Sequence, residues 1–414
     1  KQVSFIQNVI IDSKKKLEEL KNKNIKFVII DTARAKKLVP RKKAEPEVVE
    51  PPKEEPKPEP VVEKVAEPEP EPEPEEQDEE LDNFDDDGKK KVITTARVPF
   101  EVEVEKAKEI KNEAFNNVKN MLANAAVGKS FEAETAKTQV NDMVKSVFRN
   151  KDALISLTRL KSFDDYTFMH SVNVSVLAIA LSRELGYKKE DVEIIGLGSM
   201  LHDVGKMLVP EQILNKPGKL TPEERVEIQK HTTFGYELLK ERGDIPEKAY
   251  LIAYEHHERA DGTGYPMGKK LDEIQPVSSV ANIVDVYDAL TSARVYKPGM
   301  PPPHALSFIK ARAETEFRAD YVDTFLDVIG IFPVGSVVEF NTGQLGIVKE
   351  INRDNLFEPA VILVMNAQKQ LLGAPREIAP SKYESNDLKI IRYHDPVDLG
   401  INVPDYLDLQ AKRI

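Results

Sequence analysis

Between residues 100 and 316 apolar side chains return every three or four positions, the spacing of helices that bury one face. Val104, Ala107, Ile110, Ala114 and Val118 form one such stripe in a helical stretch from about Phe100 to Leu185, with a longer segment starting at Asp142. The same spacing predicts helices over Asp191–Met207, Pro222–Arg242, Glu247–Glu258, Ser278–Tyr296 and His304–Glu316. Beyond Phe332 the texture changes to short β-rich runs, Val334–Phe340, Gly346–Ile351 and Ala360–Met365, broken by Asn-Thr-Gly and Arg-Asp-Asn. Those breaks are turn chemistry, so a small antiparallel appendage is expected. At the other end Ser13–Lys23 reads as a helix and Ile25–Ile30 as a strand, too little for a complete domain. The expected fold class is mainly α: a helical bundle with a partial α/β N-terminal segment and a C-terminal β appendage.

Charge locates the linker. Residues 41–90 hold 20 acidic against 8 basic side chains, a balance of −12 that equals the net charge of the whole chain, and 10 of its 28 prolines. Proline at alternate positions forbids helices and sheet ladders while like charges extend the chain, so a disordered acidic spacer is expected there. The chain then divides into 1–41 (accessory segment), 42–91 (spacer), 92–139 (helical lead-in), 140–331 (main helical domain) and 332–414 (β extension). With the acidity assigned to the spacer, the remainder is neutral and has no basic stripe, which argues against duplex nucleic acid as a partner.

Composition removes several classes of chemistry. There is no cysteine, which excludes disulfide scaffolds, zinc fingers and thiol nucleophiles. No apolar run approaches the roughly 20 residues of a membrane span, and no basic-then-apolar leader opens the chain, so a cytoplasmic protein is expected.

Of seven histidines, five fall between residues 170 and 257: His170, His202, His231, His256 and His257. His202 and Asp203 close an apolar helix, IIGLGSMLHDVGK, where imidazole and carboxylate are costly to bury unless something coordinates them. Such a mixed donor set suits iron, manganese or another borderline divalent ion, and a carboxylate has two oxygens with which to bridge two ions. His256 and His257, adjacent on one helix, point about 100° apart and would not easily converge on one ion. For His231, Val226 and Ile228 mark the expected buried side and Gly235 allows a close approach. Asp285, inside SSVANIVDVYDAL, needs a partner. The alternative is a set of buried polar groups paired with one another for structure.

Five strings in order resemble the HD superfamily of metal-dependent phosphohydrolases, and within it the HD-GYP branch that hydrolyses cyclic di-GMP. They are HSVNVSVLA from His170, HDVGK from His202, IQKHTTFGYELL around His231, HHERADGTGYP from His256 to Pro266, and DVYDALTSARVYK from Asp285 to Lys297. The run FPVGSVVEFNTGQLGIV from Phe332 is similar to a C-terminal extension of one subgroup, and residues 1–40 to the end of that subgroup's N-terminal domain.

The resemblance implies an HD-type helical bundle and a cyclic di-GMP phosphodiesterase, with a diguanylate cyclase or another signalling protein as a further partner. It implies two divalent ions, Fe or Mn favoured: His170, His202 and Asp285 on one, His231, His256 and His257 on the other, and Asp203 bridging as the central catalytic group. Lys206 is implied as a phosphate contact, with Asp288 placed to orient Lys206. Tyr265, on the tight loop punctuated by Gly262, Gly264 and Pro266, is expected to stack on guanine. Arg294 and Lys297 are expected to meet the second phosphate or a guanine edge. Members with three metals carry a glutamate four residues before the first histidine; here that residue is Tyr166, which predicts two. Two other readings stay open, a different HD-type nucleotide hydrolase and a catalytically silent receptor or interaction module.

Overall fold

The computed structural model describes residues 98–128, 132–158, 166–216, 218–292, 299–385, 387–394, 396 and 399–407. The expected helix Ser13–Lys23, the strand Ile25–Ile30 and the acidic spacer lie outside the described residues.

The stripe read from Val104 to Val118 is the buried face of α1 (Phe100–Ala126), continued by Met121, Leu122 and Ala125. It packs along α2 (Ala133–Leu157), whose Ala136, Val140, Met143 and Val147 are buried in the same core. A buried ion pair fixes their register: the Glu103 carboxylate accepts from Arg149 Nε at 2.7 Å and from Ser146 Oγ at 2.6 Å. At Asn150 the helical ladder of α2 is interrupted, and the Asn150 side-chain amide donates to the Val98 carbonyl at 2.9 Å.

Helix α3 (Tyr166–Glu184) is buried on nearly every side from His170 to Ser182, as befits the central helix of a bundle. It packs on α4 (Lys189–Leu201) through Gly196, where a Cβ would come within 3 Å of Ile179 and Val140. The Ser175 hydroxyl donates to the Gly196 carbonyl at 2.8 Å across this contact. The helix predicted to Met207 ends at Leu201, and after His202 and Asp203 the chain tightens into a 3-10 turn, Val204–Leu208.

Three further elements follow: α5 (Glu211–Leu214), α6 (Pro222–Gln229) and α7 (His231–Arg242). The single helix expected over Pro222–Arg242 is therefore two. Helix α6 starts on a Thr221/Glu224 capping box with Pro222 in its first turn. It ends where the side chains of His231 and Thr232 take up the carbonyls of Ile228 and Gln229. No residue of α6 is buried, and Val226, expected on the inner side, is 59% exposed. Helix α8 (Glu247–Glu255) is three residues shorter than expected. Helix α9 (Pro276–Thr291) ends before the predicted Tyr296, because Ser292 turns extended and its hydroxyl donates to Asp288. Helices α10 (Pro302–Lys310) and α11 (Ala319–Ile329) complete the block.

The appendage is a five-stranded antiparallel sheet in the order β4-β3-β2-β1-β5. Its strands are β1 (Val337–Phe340), β2 (Leu345–Glu350), β3 (Ala360–Met365), β4 (Leu371–Ile378) and β5 (Ile390–His394). The first three were legible as apolar runs. The last two are edge strands with largely exposed side chains and so lack that signal. Phe100 packs against both the helical core and one face of the sheet, joining the two.

Candidate metal centre

Five elements deliver the predicted ligands to one point. His170 comes from the buried α3, and His202 and Asp203 from the junction between α4 and the 3-10 turn. His231 is the first residue of α7, His256 and His257 follow the end of α8, and Asp285 lies on α9. The junction sits tightly on α7: a Cβ on Gly205 would lie 2.0 Å from the His231 carbonyl oxygen and 2.4 Å from the Gly235 nitrogen.

Asp203 is central. Its Oδ2 is 3.3 Å from His202 Nε2 and 3.7 Å from His170 Nε2, while its Oδ1 is 3.4 Å from His231 Nε2 and 3.7 Å from His256 Nε2. Each carboxylate oxygen thus faces a different pair of imidazoles. Asp285 spans the same divide, with Oδ1 at 3.1 Å from His170 Nε2 and Oδ2 at 3.9 Å from His257 Nδ1. Among the described residues three donor groups each gather within 4.8 Å: His170 with His202 and Asp285, His231 with His256 and His257, and His202 with Asp203 and His256. The helical angle expected to separate His256 from His257 does not do so, because α8 has ended at Glu255 and His257 lies in a turn.

The far ring nitrogens settle which atoms can coordinate. Nδ1 of His202, His231 and His256 lies against the carbonyls of Ser199 (2.7 Å), Ile228 (2.6 Å) and Ala253 (3.0 Å). A carbonyl only accepts, so each Nδ1 carries the proton and each Nε2 presents a lone pair. The lone pairs of His231 and His256 then face each other at 3.3 Å, an arrangement that calls for a cation between them. Burial holds His231, His256 and His257 neutral: the pKa falls to about 4 for His231 and about 3 for His257, and well below the usual value for His256. His202 Nε2 and Asp203 Oδ1 are buried without a hydrogen-bond partner, a costly state for bare polar atoms. The donor set therefore fits divalent metal.

His170 is the exception. Burial depresses its pKa, but hydrogen bonds to Asp285 and Asp288 outweigh burial and raise it to about 9. Burial also opposes ionisation of Asp203, yet His202 and Lys206 hold its carboxyl well below the ordinary range. Lys206 Nζ donates to Asp203 Oδ2 at 2.5 Å and is 27% exposed, so it stands beside the Asp203 carboxylate on the solvent side.

Asp288 does not orient Lys206. It accepts from His170 Nδ1 at 2.8 Å and from the Asn173 side chain at 3.1 Å, so it fixes the ring of His170 on α3. Outer partners of this kind tune metal affinity about 10–100-fold. Asp288→Asn is expected to weaken metal binding within that range, measured by competition with a chromophoric chelator; an unchanged affinity would remove Asp288 from the site.

Tyr265 packs one face on His257, centroids 4.7 Å apart, through the half-buried Tyr265-Pro266 turn with its cis peptide bond. Arg294 and Lys297 lie outside the described residues. Sequence reasoning missed Asn173, Glu255 and Glu258, all buried polar groups beside the site. Glu258 stood inside the HHERADGTGYP string, but nothing in a polar run announces that one of its carboxylates is fully enclosed.

Residues 142–320 match the HD domain family. That segment belongs to the HD-domain family. Residues 2–136 match a domain of unknown function, DUF3391. The HD chain is 38% identical over 278 residues to the cyclic di-GMP phosphodiesterase PA4108 of Pseudomonas aeruginosa, covering 67% of this chain and 66% of that protein. It is 36% identical over 180 residues to the cyclic di-GMP phosphodiesterase response regulator RpfG of Xanthomonas campestris pv. campestris, 43% and 48% of the two chains. To the 3'3'-cGAMP-specific phosphodiesterase 3 of Vibrio cholerae it is 32% identical over 168 residues, 41% of this chain and 36% of the other. The HD chain thus spans under half of the latter two relatives. Among the described residues no helix is long and apolar enough to cross a membrane.

Proposed function

We propose that this HD chain is a metal-dependent phosphodiesterase that opens cyclic di-GMP to the linear dinucleotide and on to GMP. The observation that carries the hydrolytic part is Asp203, one buried carboxylate whose two oxygens each face a separate pair of imidazole nitrogens. His170, His202 and Asp285 would hold one ion, and His231, His256 and His257 a second. The intact HHERADGTGYP string and the names of PA4108 and RpfG support the substrate.

A phosphodiester is anionic and repels hydroxide. A divalent pair supplies what that requires, charge neutralisation at phosphate and an attacking water of lowered pKa. The chain's own groups do the rest. Lys206 offers its ammonium from the solvent side of Asp203 to a non-bridging phosphate oxygen. Asp288 keeps the proton of His170 on Nδ1 and fixes the orientation of its ring. Tyr265, packed on His257, would supply the aromatic ring on which a purine base stacks. The mixed imidazole and carboxylate set favours iron or manganese over zinc, and Tyr166 in place of a carboxylate one turn before His170 favours two ions over three.

The test is turnover by anaerobically prepared protein loaded with Mn or Fe, together with elemental analysis. Two metal equivalents and release of the linear dinucleotide are expected. Full metal content without turnover would make the protein a silent receptor, and preference for 3'3'-cGAMP would reassign the substrate.

A further inference from the structure

The glycine-rich loop is anchored by a residue to which none of the chemistry above gives a task. Glu258 is fully buried, and its carboxylate reaches forward along the chain. Oε1 accepts from the Met267 amide at 2.6 Å and Oε2 from the Lys269 amide at 2.9 Å. Those two amides flank Gly268 on the limb of the loop that follows Tyr265-Pro266. Among the described residues no basic side chain pairs with Glu258, so two N–H groups hold a buried carboxylate, an arrangement that persists only where the geometry is good. Glu255, also buried, backs the same limb by accepting from Lys269 Nζ at 2.6 Å and the Gln275 amide at 3.0 Å.

The near end of the clamp is equally fixed. The Asn282 side chain, one turn before Asp285 on α9, donates to the Glu258 carbonyl. The Tyr265 amide donates to the His257 carbonyl at 3.1 Å. Gly264 lies so close to the Glu258 backbone that a Cβ there would come within 2.5 Å of Glu258 Cα. Glu258 therefore ties the Tyr265 loop to the backbone that carries His256 and His257 and to the helix that carries Asp285, without itself facing the ligand cluster.

We infer that Glu258 is a positioning residue for substrate recognition: its carboxylate clamps the Met267–Lys269 limb and so sets the Tyr265 ring against the place of the substrate base. This rests on the phosphodiesterase reading. A clamp on recognition and not on the metals shows as a split between substrates. Glu258→Gln keeps the size of the side chain but turns one acceptor into an amide donor facing another N–H. KM for cyclic di-GMP is expected to rise about tenfold, in keeping with loss of a charge-assisted bond. The kcat, the metal content and the hydrolysis of bis(p-nitrophenyl) phosphate should stay within about twofold.

Hydrogen exchange supplies a readout independent of activity. Amides of residues 262–270 should lose protection in Glu258→Gln while residues 247–255 and 276–291 keep theirs. Equal losses on both phosphodiesters, loss of metal, or unchanged exchange and KM would each overturn the inference. Should Glu258→Gln fail to fold, Glu258→Asp decides, since its shorter arm keeps the charge but cannot reach both the Met267 and Lys269 amides: a KM rise of about threefold at full metal content supports the clamp, and an unchanged KM refutes it. A wild-type protein that turns over no cyclic dinucleotide would defeat the substrate reading, and the exchange measurement would then judge the clamp alone.

Discussion

Asp203→Asn is expected to reduce hydrolysis of cyclic di-GMP by roughly a thousandfold or more, the scale of losing a group on which the acceleration depends, and to lower bound metal below two equivalents. Asparagine preserves the volume and one acceptor for Lys206, but it offers a single neutral oxygen where the native carboxylate serves His170 and His202 on one side and His231 and His256 on the other. Far-ultraviolet circular dichroism should remain helical, since the surrounding core is built by apolar side chains of α3, α4 and α9. Normal turnover with full metal content would refute the bridging role outright.

Gly205→Ala is expected to be the most damaging single methyl group in the helical block. The added Cβ would meet two backbone atoms, the His231 carbonyl oxygen at 2.0 Å and the Gly235 nitrogen at 2.4 Å, and backbone cannot rotate aside. Helix α7 must withdraw from the 3-10 turn, at a cost of about 3 kcal/mol or more. In a domain of this size that is a fall in Tm of roughly 6–12 °C. Because His231 rides on one side of the contact and Asp203 on the other, metal affinity should fall together with stability. Gly373→Ala is the control, since nothing lies within 4 Å of a Cβ there; its Tm should not move. A variant at 205 as stable as the wild type would show that the contact is looser than these distances.

Much of the fold was legible because amphipathic helices announce themselves. The stripe from Val104 to Val118 needed only its spacing, and β3, buried along its whole length, stood out as an apolar run. Breaks were harder to see. The division of Pro222–Arg242 depends on His231 and Thr232 turning back on α6 carbonyls, and the polar pattern there is as consistent with one helix as with two. At the site, residue type and order pointed to the His and Asp side chains that the structure gathers within 4.8 Å of one another. The partner of Asp288 was not readable, because spacing along α9 puts it on the face of Asp285 but cannot say that α3, 115 to 118 residues away in sequence, supplies the group it holds. Edge strands β4 and β5 escaped for a related reason: their identity lies in whom they pair with.

The burial of α1 bears on how such a chain can be assembled in evolution. The DUF3391 match runs to residue 136 and the HD match starts at 142, so the two look like separable beads. Yet α1, inside the first, has its apolar face in the second's core, and Glu103 on it is the acceptor for Arg149. A front segment exchanged at residue 139 would leave the HD block with a raw hydrophobic flank and an arginine that has lost its carboxylate. Recombination between relatives should therefore have kept this helix with the HD block, whichever front segment precedes it.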